Sequence, residues 1–299
     1  AAPDNQAKLP RLKVSENRRF LATEDNRPFF YLADTAWDLF HRLKREDADF
    51  YLATRAKQGF TVIQAVALDV EGITRTNAYG EPPLIDGDPA RPNESHFQQV
   101  DYVVSKAESL GLYTAMLPTW GDKVNRKWAG GPEVFTPENA AIYGQFLGRR
   151  YQDKPIIWVL GGDRPVETER QRAIWRALAA GIKKGEGDRH HLVSYHIMGG
   201  NSTHDTLHDE SWLDFNMCQS GHGVRSTPGY RLIASAYAKR PVKPCMDSEP
   251  NYENHPINWN PENGWFDEHD VRKLTYWTLF AGAHGVTYAS MDVWQFWDL

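Results

Sequence analysis

Cysteine is scarce in this sequence, long apolar runs are missing and neither charge sign dominates, and each shortage closes off a class of function. Cys218 and Cys245 are the only cysteines in 299 residues. Each falls within an apolar strand pattern, where a free thiol behaves as a small buried hydrophobe. No disulfide framework is expected from them, and they say little about compartment. No apolar stretch approaches the roughly 20 residues needed to span a bilayer. The formal net charge is −5 and no Lys/Arg run could track a phosphate backbone, so neither nucleic acid nor an anionic membrane is an expected partner. A P-loop, a dinucleotide fingerprint and a GxSxG elbow are all missing. Phosphoryl transfer, hydride transfer and serine hydrolysis lose support, and no cofactor is expected.

No metal is expected either. His204 and His208 in HDTLH have the i, i+4 spacing of two ligands on a helix, but no third ligand accompanies them and the stretch reads as a solvated helix face. Asp86 to Asp88 (DGD) lacks the rest of a calcium loop and reads as a turn.

What the sequence does have is a repeat of apolar strand runs and amphipathic helical stretches, the pattern of a parallel sheet wrapped by helices. With 41% hydrophobic residues over 299 positions, the chain can bury one large core, close to the usual size of an eight-fold barrel. Before the repeat, with residues 1–27 as the N-terminal segment, RLKVS and RRFLATEDNRPFFYL read as a small hairpin at the barrel floor. Eight strands follow: 29–34, 60–68, 112–118, 155–163, 191–197, 214–220, 243–249 and 285–290. Helices are expected over 46–57, 95–110, from Thr136–Pro137 onward, 167–184, 230–239 and 267–283, with Ser95 as a cap. The expected fold is an α/β (β/α)8 barrel over 1–299 with a short N-terminal hairpin. The chain stops at Leu299 before a helix that could cover the eighth strand, so a continuation is expected. Its start, AAPDNQAKLP, suits a mature chain after signal removal, and a secreted or periplasmic location is expected.

In such a fold every strand C-terminus opens onto one face, where barrels place their chemistry. PIIWVLGGD (Pro155 to Asp163) and KPCMDSE (Lys243 to Glu249) each end there on an acid. Two carboxyls across a cleft are the minimum equipment for cleaving a glycosidic bond, one protonating the leaving oxygen and the other serving as nucleophile or base. Asp163 and Glu249 are therefore the catalytic candidates. A helix cap is the alternative for Asp163 and a loop ion pair for Glu249; Asp247, expected on the same strand face, could contact the Glu249 carboxylate only if one is protonated, and Glu253 is a weaker competitor for the second role. The same face should collect substrate-binding residues: Asp34 (or a partner behind the site), Trp37, Gln64, Asp69, Trp120, His196, Gln219, His222, Tyr252, Asp292 and Trp294. Eleven Trp, several in strand-to-helix loops, fit a site that stacks on sugar C–H faces. A carbohydrate is the expected partner.

LADTAWDLFHRL (Leu32 to Leu43), GFTVIQAVAL (Gly59 to Leu68), WVLGGD (Trp158 to Asp163), QSGH (Gln219 to His222) and SEPNYE (Ser248 to Glu253) together resemble glycoside hydrolase family 140, the apiosidase family, in order along nearly the whole chain. The resemblance implies a (β/α)8 barrel that hydrolyses β-linked D-apiose in plant pectin, notably rhamnogalacturonan II. Asp163 would be the general acid and Glu249 the nucleophile or base. A small β-sandwich often follows the barrel in that family. Related barrels usually carry Glu where this chain has Asp163, one methylene shorter, which leaves retention and inversion both open. A glycosidase of other sugar specificity and a non-catalytic carbohydrate-binding barrel are the alternatives.

Overall fold

The computed structural model describes residues 8–296 except Glu71 and Ala129. Three short antiparallel strands, Leu12–Val14, Leu21–Thr23 and Pro28–Phe29, form an N-terminal meander instead of a two-stranded hairpin. It lies at the start of the larger sheet's strands, where Tyr113 gives its hydroxyl to the Pro10 carbonyl and packs edge-on to Phe29 at 5.0 Å.

Eight parallel strands follow: β1 (Tyr31–Thr35), β2 (Val62–Val66), β3 (Tyr113–Leu117), β4 (Ile156–Gly161), β5 (Val193–His196), β6 (Asn216–Gln219), β7 (Cys245–Asp247) and β8 (Gly285–Tyr288). Each is shorter than its apolar run, because the flanking residues turn into loops. The ladder runs β5-β4-β3-β2-β1-β8-β7-β6 and ends on a two-residue antiparallel strand, Asn201–Ser202. The result is a curled, mostly parallel nine-stranded sheet with flanking helices, the arrangement of a (β/α)8 fold. At the β5/β6 seam Asp214 N donates to Val193 O (2.8 Å), Val193 N to the Asp214 carboxylate (2.8 Å) and Ser194 Oγ to Phe215 O (2.7 Å).

Strand alternation divides the core. Tyr31, Ala33, Val62, Val66, Ala115, Val159, Met217 and Met246 fill the inside of the curl, while Ile63, Ala65, Met116, Trp158 and Leu160 face the helices. Those helices are α1 (Arg45–Lys57), α2 (Glu94–Ser109), α3 (Pro137–Tyr151), α4 (Glu169–Glu186), α5 (Gly229–Ala238) and α6 (Glu268–Phe280). Thr136, Thr168 and Asp267 each close a reciprocal capping box. For α2 the cap is Asn93, whose side chain accepts from Ser95 N, so Ser95 lies inside the helix.

The HDTLH stretch is not a solvated face. Only Thr203–Thr206 is helical, and both histidines are buried: His204 Nε2 lies 2.8 Å from Ser235 Oγ and His208 Nε2 2.8 Å from the Pro241 carbonyl. Among the described residues no cluster of three His, Cys, Asp or Glu could hold a metal ion. Cys218 and Cys245 are free and buried, and no described helix is long and apolar enough to cross a membrane.

Candidate active site

Where β4 ends, three successive residues adopt left-handed backbone: Gly161 (φ +84°), Gly162 (+122°) and Asp163 (+55°). A Cβ on Gly161 would meet the His196 carbonyl at 2.6 Å, and one on Gly162 would meet Gly121 N and the Trp120 ring at 2.7 Å. Only glycine fits there. Asp163 has no such exemption, and a non-glycine residue in this region is held by its surroundings at a local cost. Its N–H donates to His196 Nδ1 (3.2 Å), and Arg164 Nη1 reaches its carbonyl at 2.9 Å and its carboxylate at 3.4 Å. The cap of α4 is Thr168, so Asp163 is released from the helix-cap role and its side chain opens onto a cleft, 37% exposed. The cleft walls still deplete water around it. That burial raises the Asp163 carboxyl to about 6; the charge of Glu249 adds to the rise, and His196, Arg164 and His222 oppose it.

Just beyond β7, Glu249 is buried and gripped at both oxygens. His222 Nε2 lies 2.9 Å from Oε1 and His196 Nε2 2.8 Å from Oε2, the second contact lying off the line of a well-directed hydrogen bond. Burial would push this carboxyl up, but the two imidazoles outweigh it and hold Glu249 well below the usual carboxylate range. Tyr252, whose hydroxyl accepts from Trp37 Nε1 at 3.1 Å, has its phenol pushed far up by burial and by the Glu249 charge. Asp247 faces out of the curl and meets the backbone of Glu249, not its carboxylate: Oδ1 accepts from Ser220 N (3.2 Å) and Glu249 N (3.3 Å). Burial raises it to about 6. Glu253 accepts from the Tyr288 hydroxyl at 2.7 Å and is not part of the cleft wall.

The cleft encloses about 510 Å³ and is walled by Asp163, Glu249, Trp37, Trp120, His222, Tyr252 and Trp294. Trp37 and Trp120 meet edge to face at 5.0 Å, and both rings pack on His196 beneath. Eight wall residues were not among the sequence candidates, among them Trp128 and Trp259, exposed at the rim, and Asp122 and Arg164. The available signal was position, since Arg164 follows Asp163 directly and both tryptophans lie in long loops after β3 and β7.

Several candidates do not reach the cleft. Asp34 faces outward, because Tyr31 and Ala33 take the inner positions of β1. Its Oδ2 accepts from Tyr51 Oη and Arg55 Nε of α1, both at 2.5 Å. Asp69 is buried and paired with Arg75 (2.7 Å), which also bridges to Asp38 at 2.9 Å. Asp292 accepts from Asn254 Nδ2 (2.9 Å) and faces a different hollow beside α1. Gln64 is inside the curl with Nε2 3.4 Å from Ser248 O, and Gln219 is buried at the end of β6; neither forms part of the wall.

A family model described as "Apiosidase-like, catalytic domain" matches residues 15–299. Among solved structures, a glycoside hydrolase family 5 protein from Bacteroides vulgatus is 32% identical over 96% of this chain, with a TM-score of 0.86. A structure titled "Glycoside hydrolase" is 31% identical over 97%, at 0.87. The chain spans 63% and 67% of the length of those two proteins. An endo-1,4-β-D-mannanase from Thermotoga petrophila shares the fold at a TM-score of 0.64, with 15% identity and 88% of each chain covered. None of the curated proteins matches the chain.

Proposed function

The chain belongs to the apiosidase-like catalytic-domain family, and from that premise we propose that it hydrolyses β-apiosidic bonds, as in the branched pectin rhamnogalacturonan II, in the manner of glycoside hydrolase family 140. The observation that carries this reading is the opposite bias on two carboxyls that wall one cleft: Asp163 is raised to about 6 and Glu249 is lowered. Pushing two such pKa values apart assigns the roles. Asp163 gives its proton to the leaving-group oxygen, and the ionised Glu249 attacks the anomeric carbon or takes a proton from the attacking water.

Fixed aromatic faces support a sugar substrate. Trp37 and Trp120 form a rigid inner corner, while Trp128 and Trp259 offer ring surface at the rim where a leaving group would lie. We also propose that the protein acts outside the cytoplasm, where polymeric plant glycans are met, on a (β/α)8 barrel closed at the β5/β6 seam.

The test is a panel of β-apiosides, alkyl and aryl, beside other β-glycosides including mannosides, with released sugar identified chromatographically. Apiose release at rates well above the other sugars is expected. Turnover of a different sugar alone would move the specificity elsewhere, and folded protein inert on every glycoside would favour a binding barrel.

A further inference from the structure

One imidazole touches both halves of the site. His196, the last residue of β5, is fully buried under Trp37 and Trp120. Its carbonyl accepts from Gly162 N (3.1 Å) and its Nδ1 from Asp163 N (3.2 Å), so two consecutive N–H groups of the left-handed turn end on one residue. Its other ring nitrogen, Nε2, lies 2.8 Å from Glu249 Oε2.

These contacts set the proton. A ring nitrogen that accepts from a backbone N–H carries no hydrogen, so the proton of the neutral ring is on Nε2, where it faces an acceptor-only carboxylate. An imidazolium would turn an Nδ1–H against the Asp163 N–H. The Nε2–H of the neutral ring points its partial positive charge toward Glu249 across a 2.8 Å contact that lies off the line of a well-directed hydrogen bond.

We propose that His196 is a positioning residue, locked as the Nε2–H tautomer by the Asp163 backbone, that couples the turn carrying the acid to the carboxylate of Glu249. This rests on the glycosidase reading for its catalytic consequence, while the tautomer itself does not. The other titratable groups acting on Glu249 include His222 and Tyr252 from neighbouring loops, His255 stacked behind His222, Asp163 across the cleft and Asp247 through the backbone. His196 bonds to the turn and also lies 2.8 Å from the Glu249 side chain.

Two near-isosteres separate its two contacts. In His196→Asn the amide oxygen can replace Nδ1 but nothing reaches Glu249; in His196→Gln the amide nitrogen can replace Nε2 but nothing accepts from Asp163 N–H. On an apioside, or on whichever glycoside the protein turns over, His196→Asn should move the acid limb of the kcat/KM profile up by about one pH unit. His196→Gln should leave that limb in place and slow substrates with poor leaving groups by about tenfold, sparing activated aryl glycosides. A merely structural role would lower both variants without moving either limb or splitting the substrates, and that result would overturn the proposal. Nitrogen-15 NMR of the ring in the unmodified protein needs no variant to fold and no substrate. In the neutral ring a bare Nδ1 and a protonated Nε2 are expected, whereas a neutral ring with its proton on Nδ1 would contradict the lock. If Asp163 and Glu249 proved dispensable for turnover, the glycosidase reading would fall while the NMR result stood.

Discussion

The ends of β4 and β7 present the same kind of side chain in opposite ways. At β4 the backbone is the special part: three left-handed residues, two of them glycines that nothing else could replace, carry a carboxyl out into the cleft. At β7 the special part is the side chain's company. Glu249 is buried with a histidine at each oxygen, and Asp247 accepts from its N–H. Burial behind the cleft walls, with the Glu249 charge, keeps Asp163 protonated to about 6, while donors keep Glu249 charged to well below the usual carboxylate range. Where few donors face it, a carboxyl can serve as an acid; where two do, it is a base or nucleophile.

Removing the charge at β7 should do the greatest damage. Glu249→Gln keeps the shape and both histidine contacts within reach, yet kcat should fall by on the order of 10⁴-fold, with the circular dichroism spectrum unchanged. A near-normal rate would hand the role to another carboxylate. At β4 the backbone is the part to break. Gly162→Ala should lower kcat by about 10- to 100-fold, since small misplacements of a catalytic group cost that much, and reduce stability by about 1–3 kcal/mol in urea unfolding. An unaffected rate would mean the turn does not aim Asp163.

A third carboxylate sharpens the comparison, because Asp34 also lies at a strand end and yet serves the fold. Asp34→Asn leaves Arg55 poorly paired and should cost about 2–4 kcal/mol in urea unfolding, with kcat within about twofold of the parent. A large kcat loss in folded protein would return Asp34 to the site.

The smallest expected effect is on stability. The Asp163 pKa is about 6 folded against 3.8 as the reference, so the folded state binds that proton more tightly and stability falls as pH climbs from about 4 to about 6. Asp163→Asn removes this fall. Its Tm should exceed the parent's by about 1–2 °C at pH 7.5, a modest figure because the side chain is partly solvated, and the difference should close below pH 4.

These contrasts also show what the sequence could reveal. The apolar runs bounded by Gly and Pro gave the strands, their order and the two acids at their ends, because those signals are local. The direction of Asp34 was not legible: strands buried on both faces are nearly all apolar, so nothing within YLADT says which residues point inward. The α2 cap failed for a related reason, with Asn93 and Ser95 two residues apart and each able to cap. His196 was picked as a sugar ligand, but its contacts join three strand ends far apart in sequence. Only the folded chain brings Gly162, Asp163 and Glu249 to that ring.

The central claim is that Asp163 is the proton donor, and the pH dependence of kcat/KM in the parent and in Asp163→Asn tests it most directly. With Asp163 required protonated and Glu249 ionised, the parent rate should fall as pH rises through about 6 and stay high on the acid side until Glu249 begins to protonate. In Asp163→Asn the alkaline limb should vanish, poor leaving groups should slow by about 10²- to 10⁴-fold, and activated aryl glycosides should suffer less. An alkaline limb that persists in Asp163→Asn, with equal loss on both kinds of substrate, would contradict the account and leave Asp163 as a group that binds or orients the sugar.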